Sequence, residues 1–243
     1  MSVISLSNAQ LAYGHVALLD HAEFSLEAGE RVGLIGPNGS GKSTMVHCIS
    51  GVLPIDGGSI AFEGRDLQGL APHRRANLGL ARSFQIPRPF YRMTVLQNVM
   101  VPMMFAAEQR IGRRLSSREI DDGARQALEQ VGLDARSANM AGSLTQIELR
   151  KLELARAIAT QPQLLIADES MAGLATSETD EILELLLRLN RQGIAIIMIE
   201  HIMRAVAAFS QRLVVLATGT KIADGVTADV LRDPTVERIY LGD

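Results

Sequence analysis

The sequence of 243 residues predicts an α/β fold with a parallel sheet at its centre. A short apolar run, Arg31 to Ile35, is followed by a glycine-rich loop and a helix beginning near Ser43. A second apolar run, Gln163 to Ala167, ends in two carboxylates, and a third covers Ile194 to Ile199. Short apolar runs bounded by turn or polar residues are typical of buried parallel strands. We therefore expect these runs to lie side by side in one sheet.

Composition favours a globular protein and argues against an internal disulfide, a membrane span and a nucleic-acid partner. Apolar residues make up 47% of the chain, and the net charge of −3 gives no indication of a nucleic-acid partner. The lone cysteine, Cys48, excludes an internal disulfide, and we expect it to be a buried small apolar residue. No apolar run is long enough to span a bilayer, and the N-terminus lacks a signal-peptide pattern. We expect a soluble, cytoplasmic protein whose membrane role, if any, comes through a partner.

The glycine-rich loop fits the pattern G-x-x-x-x-G-K-[ST]. Its glycines let successive backbone N–H groups point at phosphate oxygens, and the helix N-terminus behind them adds partial positive charge. Lys42 can reach the β- and γ-phosphates, and the Ser43 hydroxyl can ligate Mg²⁺. A chance lysine beside a turn is the plainer reading, but strand before and helix after favour ATP or GTP binding. The predicted binding residues are Gly36, Pro37, Asn38, Gly39, Ser40, Gly41, Lys42, Ser43 and Thr44.

The two carboxylates at the end of the second apolar run are Asp168 and Glu169. Ligands of doubly wound sheets gather at the carboxyl ends of strands. Asp168 can hold Mg²⁺ through water, and Glu169 can orient and deprotonate an attacking water. A polar strand end without function is the alternative. The phosphate-binding loop makes the metal and base roles the favoured interpretation.

The chain before the loop reads as an antiparallel opening, with strands over residues 3–12 and 22–26, and a further alternating strand, Ser59 to Glu63, follows the loop. The intervening loop begins at Tyr13, which could stack on a base or could be a half-buried sheet residue. After the third apolar run comes His201, which could contact a γ-phosphate or be structural.

From Pro87 to about Thr160 the pattern becomes helical. Ser116 and Glu119 predict a capping box for a helix ending near Val131, and a later helix is expected over about residues 177–191. The loop Ile86 to Tyr91 is apolar and aromatic, so it either docks a partner helix or packs locally.

In this order, the motifs resemble those of the ATPase subunits of ABC transporters, over about residues 4–242. The resemblance implies that Tyr13 stacks on adenine, that Gly36 to Thr44 is the Walker A loop, and that ATP and Mg²⁺ are the cofactors. It implies that Gln85 is the glutamine between the core and the helical subdomain, and that His201 is the switch histidine. The implied catalytic residues are Glu169, His201 and Gln85, and the implied metal ligands are Ser43, Gln85 and Asp168.

The resemblance also implies a domain plan and an assembly. Residues 1–243 would form a single ABC ATPase domain, with a catalytic core and antiparallel β subdomain from residues 1–86 and 161–243 and a helical subdomain from residues 87–160. Two ATPase subunits would meet head to tail with two nucleotides between them. The other partners would be two transmembrane permease subunits and, indirectly, a substrate-binding protein. The chain would lie peripherally on the inner face of the cell membrane.

Several stretches look like those of the branched-chain amino-acid uptake type. They are Ala81 to Gln85, Met93 to Val99, Ile199 to His201, and the tail Tyr240 to Gly242. The implied function is an ATPase that energises import of amino acids of this class.

The signature motif departs from the family pattern Leu-Ser-Gly-Gly-Gln, because it falls on Leu144-Thr145-Gln146-Ile147-Glu148. A β-branched residue tolerates positive φ poorly, and an acid at Glu148 would repel a γ-phosphate if it pointed there. At three more positions, Ser170, Ala175 and Ile202, this sequence differs from the residue that is usual in the family. We expect a heterodimer with a sibling of intact signature, rather than a homodimer; a signature that works despite its sequence is the alternative.

Three functions therefore compete. The first is the energising ATPase of an importer. The second is a subunit that binds ATP but hydrolyses it weakly, which the altered signature supports. The third, a small-molecule kinase with the same phosphate-binding loop, leaves Gln85, the helical insertion and His201 without explanation.

Overall fold

The computed structural model describes residues 2–84 and 86–241, apart from the side chains at positions 109, 240 and 241. Its internal contacts divide the chain into two compact units. The first unit combines Met1–Arg75 with Leu189–Asp243, and the second is Ala76–Arg188. The predicted subdomain bounds, residues 1–86 with 161–243 and residues 87–160, remain a prediction.

The strands are, in chain order, β1 (Ser2–Tyr13), β2 (Val16–Glu27), β3 (Arg31–Ile35), β4 (Gly57–Phe62), β5 (Arg65–Asp66), β6 (Leu80–Ser83), β7 (Leu164–Asp168), β8 (Ala195–Ile199), β9 (Arg212–Ala217) and β10 (Thr220–Val226). The α-helices are α1 (Lys42–Ser50), α2 (Pro72–Leu78), α3 (Val95–Pro102), α4 (Glu108–Ile111), α5 (Ser117–Val131), α6 (Gln146–Ile158), α7 (Thr176–Arg191), α8 (Met203–Phe209), α9 (Thr227–Val230) and α10 (Pro234–Leu241). A π-helical segment, Met103–Ala107, joins α3 to α4. Two 3₁₀ turns, Asp134–Arg136 and Ala141–Ser143, precede α6.

In the first unit, two sheets place the glycine-rich loop. One is antiparallel, in the order β2-β1-β4-β5. In the other, β3 lies between β8 and β9, parallel to both, and β10 pairs antiparallel with β9. A core of apolar side chains packs against the end of β3, formed by Ile35, Val206, Leu213, Val215, Val230 and Val236. The loop therefore leaves a strand that is fixed on both edges.

In the second unit, β6 and β7 pair in parallel, with Leu80 opposite Leu164. Three helices, α3, α5 and α6, pack against one another. Each of them begins with a capping box, in which a Ser or Thr side chain accepts a hydrogen bond from a backbone N–H three residues later, and that residue's side chain accepts one back. These reciprocal bonds satisfy backbone donors that a helix start leaves without partners.

The predicted elements match the structure closely. The strand over residues 31–35, the helix after the loop, the capping box at Ser116 and the helix end at Val131 are confirmed. Cys48 is buried, and burial raises the pKa of its thiol to about 11, as expected of a small apolar residue. The sequence did not indicate α2 or the elements after β8.

One buried arginine closes the C-terminal end of α1. The Arg75 guanidinium donates to the carbonyls of Cys48 at 2.6 Å and Ile49 at 2.8 Å. It also donates to those of Leu67 at 2.8 Å and Leu70 at 2.9 Å. Carbonyls in the last turn of a helix have no intrahelical partner, so this side chain satisfies them and holds the following chain against α1.

We predict that Arg75→Met lowers the free energy of unfolding by about 2–4 kcal/mol, because several buried carbonyls would lose a charged donor. Urea denaturation followed by circular dichroism measures the change. The matched control is Arg74→Met on the exposed side of α2. Equal effects of the two substitutions would contradict the role given to Arg75.

Candidate functional site

The loop between β3 and α1 requires glycine at several positions. Gly39 and Gly41 have φ of 79° and 102°, in the region that disfavours other residues. A Cβ on Gly36 would lie 2.2 Å from the Leu216 carbonyl oxygen, and one on Gly41 would lie 2.7 Å from that of Leu18. The loop is thus packed against backbone on two sides, and only glycine permits its curve.

Lys42 is the charged centre of this loop. Its side chain is buried, with 6% of the residue exposed. The ammonium donates to the carbonyls of Gly36 at 2.7 Å and Pro37 at 3.0 Å, and lies 3.4 Å from the Ser40 hydroxyl. Since ammonium groups bind carbonyls and phosphate oxygens alike, the loop holds Lys42 where it can bind phosphate.

The start of α1 adds to the positive field. Its N-cap is Gly41, and in the described structure no side chain caps this helix. The first turn also carries no acidic residue. The helix dipole and the Lys42 charge therefore both favour an anion at this end. Ser43 is exposed and Thr44 half-buried, so the predicted hydroxyl ligand is accessible to a metal ion.

Tyr13 lies at the end of β1 and is 84% exposed. The alternative of a half-buried sheet residue is therefore wrong. A ring this exposed can present a face to a planar ligand, which is what stacking on a base requires.

In the second unit, β7 is buried along its whole length and ends at Asp168. The Asp168 carboxylate pairs with Arg82 on the neighbouring strand β6, at 2.7 Å between Oδ2 and Nη2. Both side chains are about nine-tenths buried, at 10% exposure each.

Glu169 follows immediately, with φ of 47°. A non-glycine residue in this conformation stores about 1 kcal/mol or more of strain, and such residues cluster at functional sites. Its carbonyl accepts from Ala172 N–H at 3.2 Å, which closes a turn after the strand. Next to it, Ser170 is buried, and its hydroxyl has no hydrogen-bond partner within the described residues. The turn therefore holds two carboxylates in fixed positions at a strand end.

The structure changes the interpretation of the signature stretch. Thr145 is the N-cap of α6, and Ile147 lies in the first helical turn, outside the residues with positive φ. The expectation that Ile147 strains a left-handed backbone is wrong, because the backbone here is helical. Glu148 accepts from Thr145 N–H at 2.9 Å and pairs with Arg136 Nε at 2.9 Å. The backbone hydrogen bond from Thr145, helped by Arg136, lowers the pKa of the Glu148 carboxyl.

The roles of two predicted residues, Gln85 and His201, have no support from contacts in the structure. Gln85 lies outside the described residues; its neighbours Phe84 and Ile86 are exposed. His201 is exposed just after β8, beside the buried Glu200. Neither the metal role of Gln85 nor the phosphate role of His201 follows from contacts in the structure, and both stay predictions.

Sequence reasoning missed two buried arginines in the second unit. Arg82 pairs with Asp168, and Arg150 of α6 donates to the carbonyls of Phe84 at 3.3 Å and Ala172 at 3.1 Å. A signal was available for Arg82, because an arginine within a short apolar strand needs a buried partner. Nothing in the sequence indicated which partner it takes.

The loop after Gln85 is largely exposed, including the apolar side chains of Ile86, Phe90 and Tyr91. Phe90 also packs locally, since the Arg156 guanidinium lies 5.4 Å from its ring centroid. Over the described residues, none of the helices is both long enough and apolar enough to cross a membrane.

The residues present fit a nucleotide phosphate chain. Gly36 and Gly41 let the loop curve closely against the Leu216 and Leu18 carbonyls, and the loop holds a buried ammonium at a helix N-terminus. The Ser43 hydroxyl and the Asp168 carboxylate also offer oxygen ligands, which are the kind that Mg²⁺ prefers.

Comparison with known proteins identifies the family. Residues 19–172, more than half of the chain, match the sequence model described as ABC transporter. The chain belongs to the ABC transporter family. Its fold is that of the ABC ATPase cassette, so the expected fold class and the expected enzyme class, an ABC transporter ATPase, are confirmed.

The cassette is similar over its full length to proteins named for branched-chain amino-acid transport. It is 34% identical to a probable ATP-binding protein of this type from Archaeoglobus fulgidus, with 100% of this chain and 96% of the relative covered. It is 34% identical to the high-affinity transport ATP-binding protein LivG of Escherichia coli K12, covering 99% and 98%. The protein BraF of Pseudomonas aeruginosa is 32% identical, with 99% and 98% covered.

Two crystal structures of ATP-binding cassettes from ABC transporters have a TM-score of 0.89 to this chain and cover both chains completely. One is nucleotide-free and 30% identical; the other is an ADP conformation and 31% identical. ATP or ADP binding by the cassette agrees with the geometry of the glycine-rich loop.

We predict that Lys42→Ala weakens ATP binding at least tenfold, because it removes the one full positive charge inside the loop, where a charged hydrogen bond contributes about 1.5–3 kcal/mol. Isothermal titration calorimetry of the purified chain measures the affinity. Lys221→Ala, which removes a lysine paired with Asp224 on β10, is the matched control. Unchanged affinity in Lys42→Ala would refute the assignment of the loop.

Proposed function

We propose that this cassette hydrolyses ATP to energise the import of branched-chain amino acids. The observation that carries the ATPase part is the Lys42 ammonium held by loop carbonyls at the start of α1. The likeness of about 34% over the full chain to relatives named for branched-chain amino-acid transport supports the substrate class.

In this proposal the predicted residues act together on the nucleotide. Lys42 and the loop amides bind the β- and γ-phosphates, and Tyr13 stacks on adenine. Ser43, Asp168 and Gln85 hold Mg²⁺, directly or through water, and the ion neutralises phosphate charge when bound. Glu169 orients a water and takes its proton, which its fixed position after β7 supports. His201 contacts the γ-phosphate.

The proposed partners follow from the family. They are a second ABC ATPase subunit, two transmembrane permease subunits and, indirectly, a substrate-binding protein. The chain would lie on the inner face of the cell membrane through the permeases. The exposed side chains of Ile86, Phe90 and Tyr91 support a docking surface for a permease helix, since exposed apolar groups close together favour a protein partner.

We predict that Glu169→Gln preserves ATP binding and slows hydrolysis by about 10²–10⁴, the usual effect of losing a positioned general base. Phosphate release from the assembled complex, beside calorimetric ATP affinity, measures both quantities. Glu184→Gln, at an exposed position of α7, is the control. Normal hydrolysis by Glu169→Gln would show that another group is the base.

A second candidate function, a subunit with one weak nucleotide site, is favoured by the α6 N-terminus. The Glu148 carboxylate lies at this helix N-terminus, where it accepts a hydrogen bond from Thr145 N–H and forms an ion pair with Arg136. The pKa of the Glu148 carboxyl is lowered, so the group is ionised at neutral pH. A negative charge at a helix N-terminus opposes binding of a phosphate at the same place.

We therefore propose a heterodimer with a sibling ATPase whose signature is intact, in preference to a homodimer. In a head-to-tail pair, α6 of this chain would face the nucleotide on the sibling's Walker A loop. That site would be weak, and the site on this chain's own loop would be active. A homodimer would carry the unfavourable charge in both sites.

We predict that the chain alone hydrolyses ATP slowly and that the variant Glu148→Gln hydrolyses it at least tenfold faster. Glutamine keeps the hydrogen bond to Thr145 N–H and removes the charge, and loss of a suitable donor at such a site changes rates by about 10²–10³. ATPase rate against protein concentration is the measurement, with Glu129→Gln on α5 as control. Vigorous, cooperative hydrolysis by the unaltered chain alone would overturn the asymmetry.

A further inference from the structure

Arg82 is a charged residue within the short buried strand β6. A buried guanidinium is costly unless a carboxylate or several carbonyls pair with it. Arg82 lies opposite Ile166 in the parallel register of β6 and β7, so Asp168, two residues further along β7, lies on the same face. The strand pairing thus brings this arginine to the carboxylate proposed for Mg²⁺.

The ion pair uses one oxygen of the carboxylate. Arg82 Nη2 donates to Asp168 Oδ2 at 2.7 Å, with both side chains at 10% exposure. A carboxylate offers about four lone-pair sites on its two oxygens, so Oδ1 is available to a second ligand. The pair therefore fixes the rotamer of Asp168 and keeps its buried charge compensated.

The guanidinium is itself held in place. The ring of Phe84 lies 5.5 Å from the central carbon of Arg82, within the range of a cation–π contact. Arg82 is thereby restrained by the ring of Phe84, the residue that follows β6, and by the carboxylate of Asp168 at the end of β7. A group restrained on two sides can orient its partner in turn.

We propose that Arg82 is a positioning residue for Mg²⁺ that acts through Asp168. It holds the Asp168 carboxylate turned so that Oδ1 meets the coordination sphere of the ion, in the manner of outer-shell partners of metal ligands. This inference rests on the proposed metal role of Asp168. Arg82 does not touch the ion or the nucleotide in this role.

The test compares ADP affinity in Mg²⁺ with ADP affinity in EDTA, by calorimetry on the full chain. The ratio of the two affinities reports metal binding to the nucleotide complex, and the EDTA value reports folding of the loop. Arg82→Met should leave the EDTA affinity unchanged and reduce the ratio about tenfold or more, as loss of an outer-shell partner does. Arg82→Lys, which keeps the charge but loses the planar fork, should give an intermediate ratio.

The matched control is Arg156→Met. Arg156 also pairs with a buried carboxylate, Glu153 at 2.7 Å, and also faces a ring, that of Phe90, and it donates as well to the Arg88 carbonyl at 2.9 Å. Its ratio should equal that of the unaltered chain.

Asp168→Asn separates the two proposals. If Asp168→Asn leaves the ratio unchanged, the metal role of Asp168 fails, and the role of Arg82 falls with it. If Asp168→Asn lowers the ratio while Arg82→Met leaves it unchanged or raises it, the positioning role alone is overturned. Should Arg82→Met lose ADP binding in EDTA as well, Arg82→Lys decides, and an unaltered ratio in that variant refutes the proposal.

Discussion

Close approach of backbone to backbone around the glycine-rich loop is the constraint on which the first unit depends. The carbonyls of Leu216 and Leu18 stand where side chains at Gly36 and Gly41 would have to be. The Gly219 N–H donates to the Ser40 carbonyl at 3.0 Å, which ties the β9–β10 turn to the loop. The fold therefore surrounds the loop with peptide groups, and the Lys42 side chain buried within it carries a positive charge.

The second unit depends on paired charges instead. Three buried or half-buried guanidinium groups each have identified acceptors: Arg82 on Asp168, Arg150 on two carbonyls, and Arg156 on Glu153. Buried ion pairs add little net stability over apolar packing, but breaking one leaves a charge without compensation. In this unit the pairs join Arg82 to Asp168 and Arg156 to Glu153 at 2.7 Å each. At Asp168 the pairing concerns the proposed metal ligand, so the pair has a chemical consequence as well as a structural one.

How far the sequence predicts this molecule differs between local and long-range features. Strand β3, the loop and α1 follow from local pattern, because apolar length, glycine spacing and Lys42 are all contiguous. The box at Ser116 is equally local, since it needs only two residues three apart. The pairing of Arg82 with Asp168 depends on the register of strands far apart in sequence, and no local rule supplies it. The elements after β8 carry no motif, so pattern reasoning had nothing to build on there.

The signature stretch shows why a motif departure should be judged on charge as well as backbone. Reasoning from the usual glycine suggested strain at Ile147, yet the first turn of α6 accepts this side chain in ordinary helical geometry. The decisive position is Glu148, the third residue of the helix, where either an amide or a carboxylate oxygen can accept a hydrogen bond from the N–H of the N-cap residue Thr145. Glutamine and glutamate thus satisfy the same hydrogen bond and differ by one negative charge, which lies at the positive end of a 13-residue helix. Arg136 balances part of that charge in this chain. The proposed weakness of the site is therefore electrostatic, and the backbone of the signature helix can be normal while its preference for a phosphate is not.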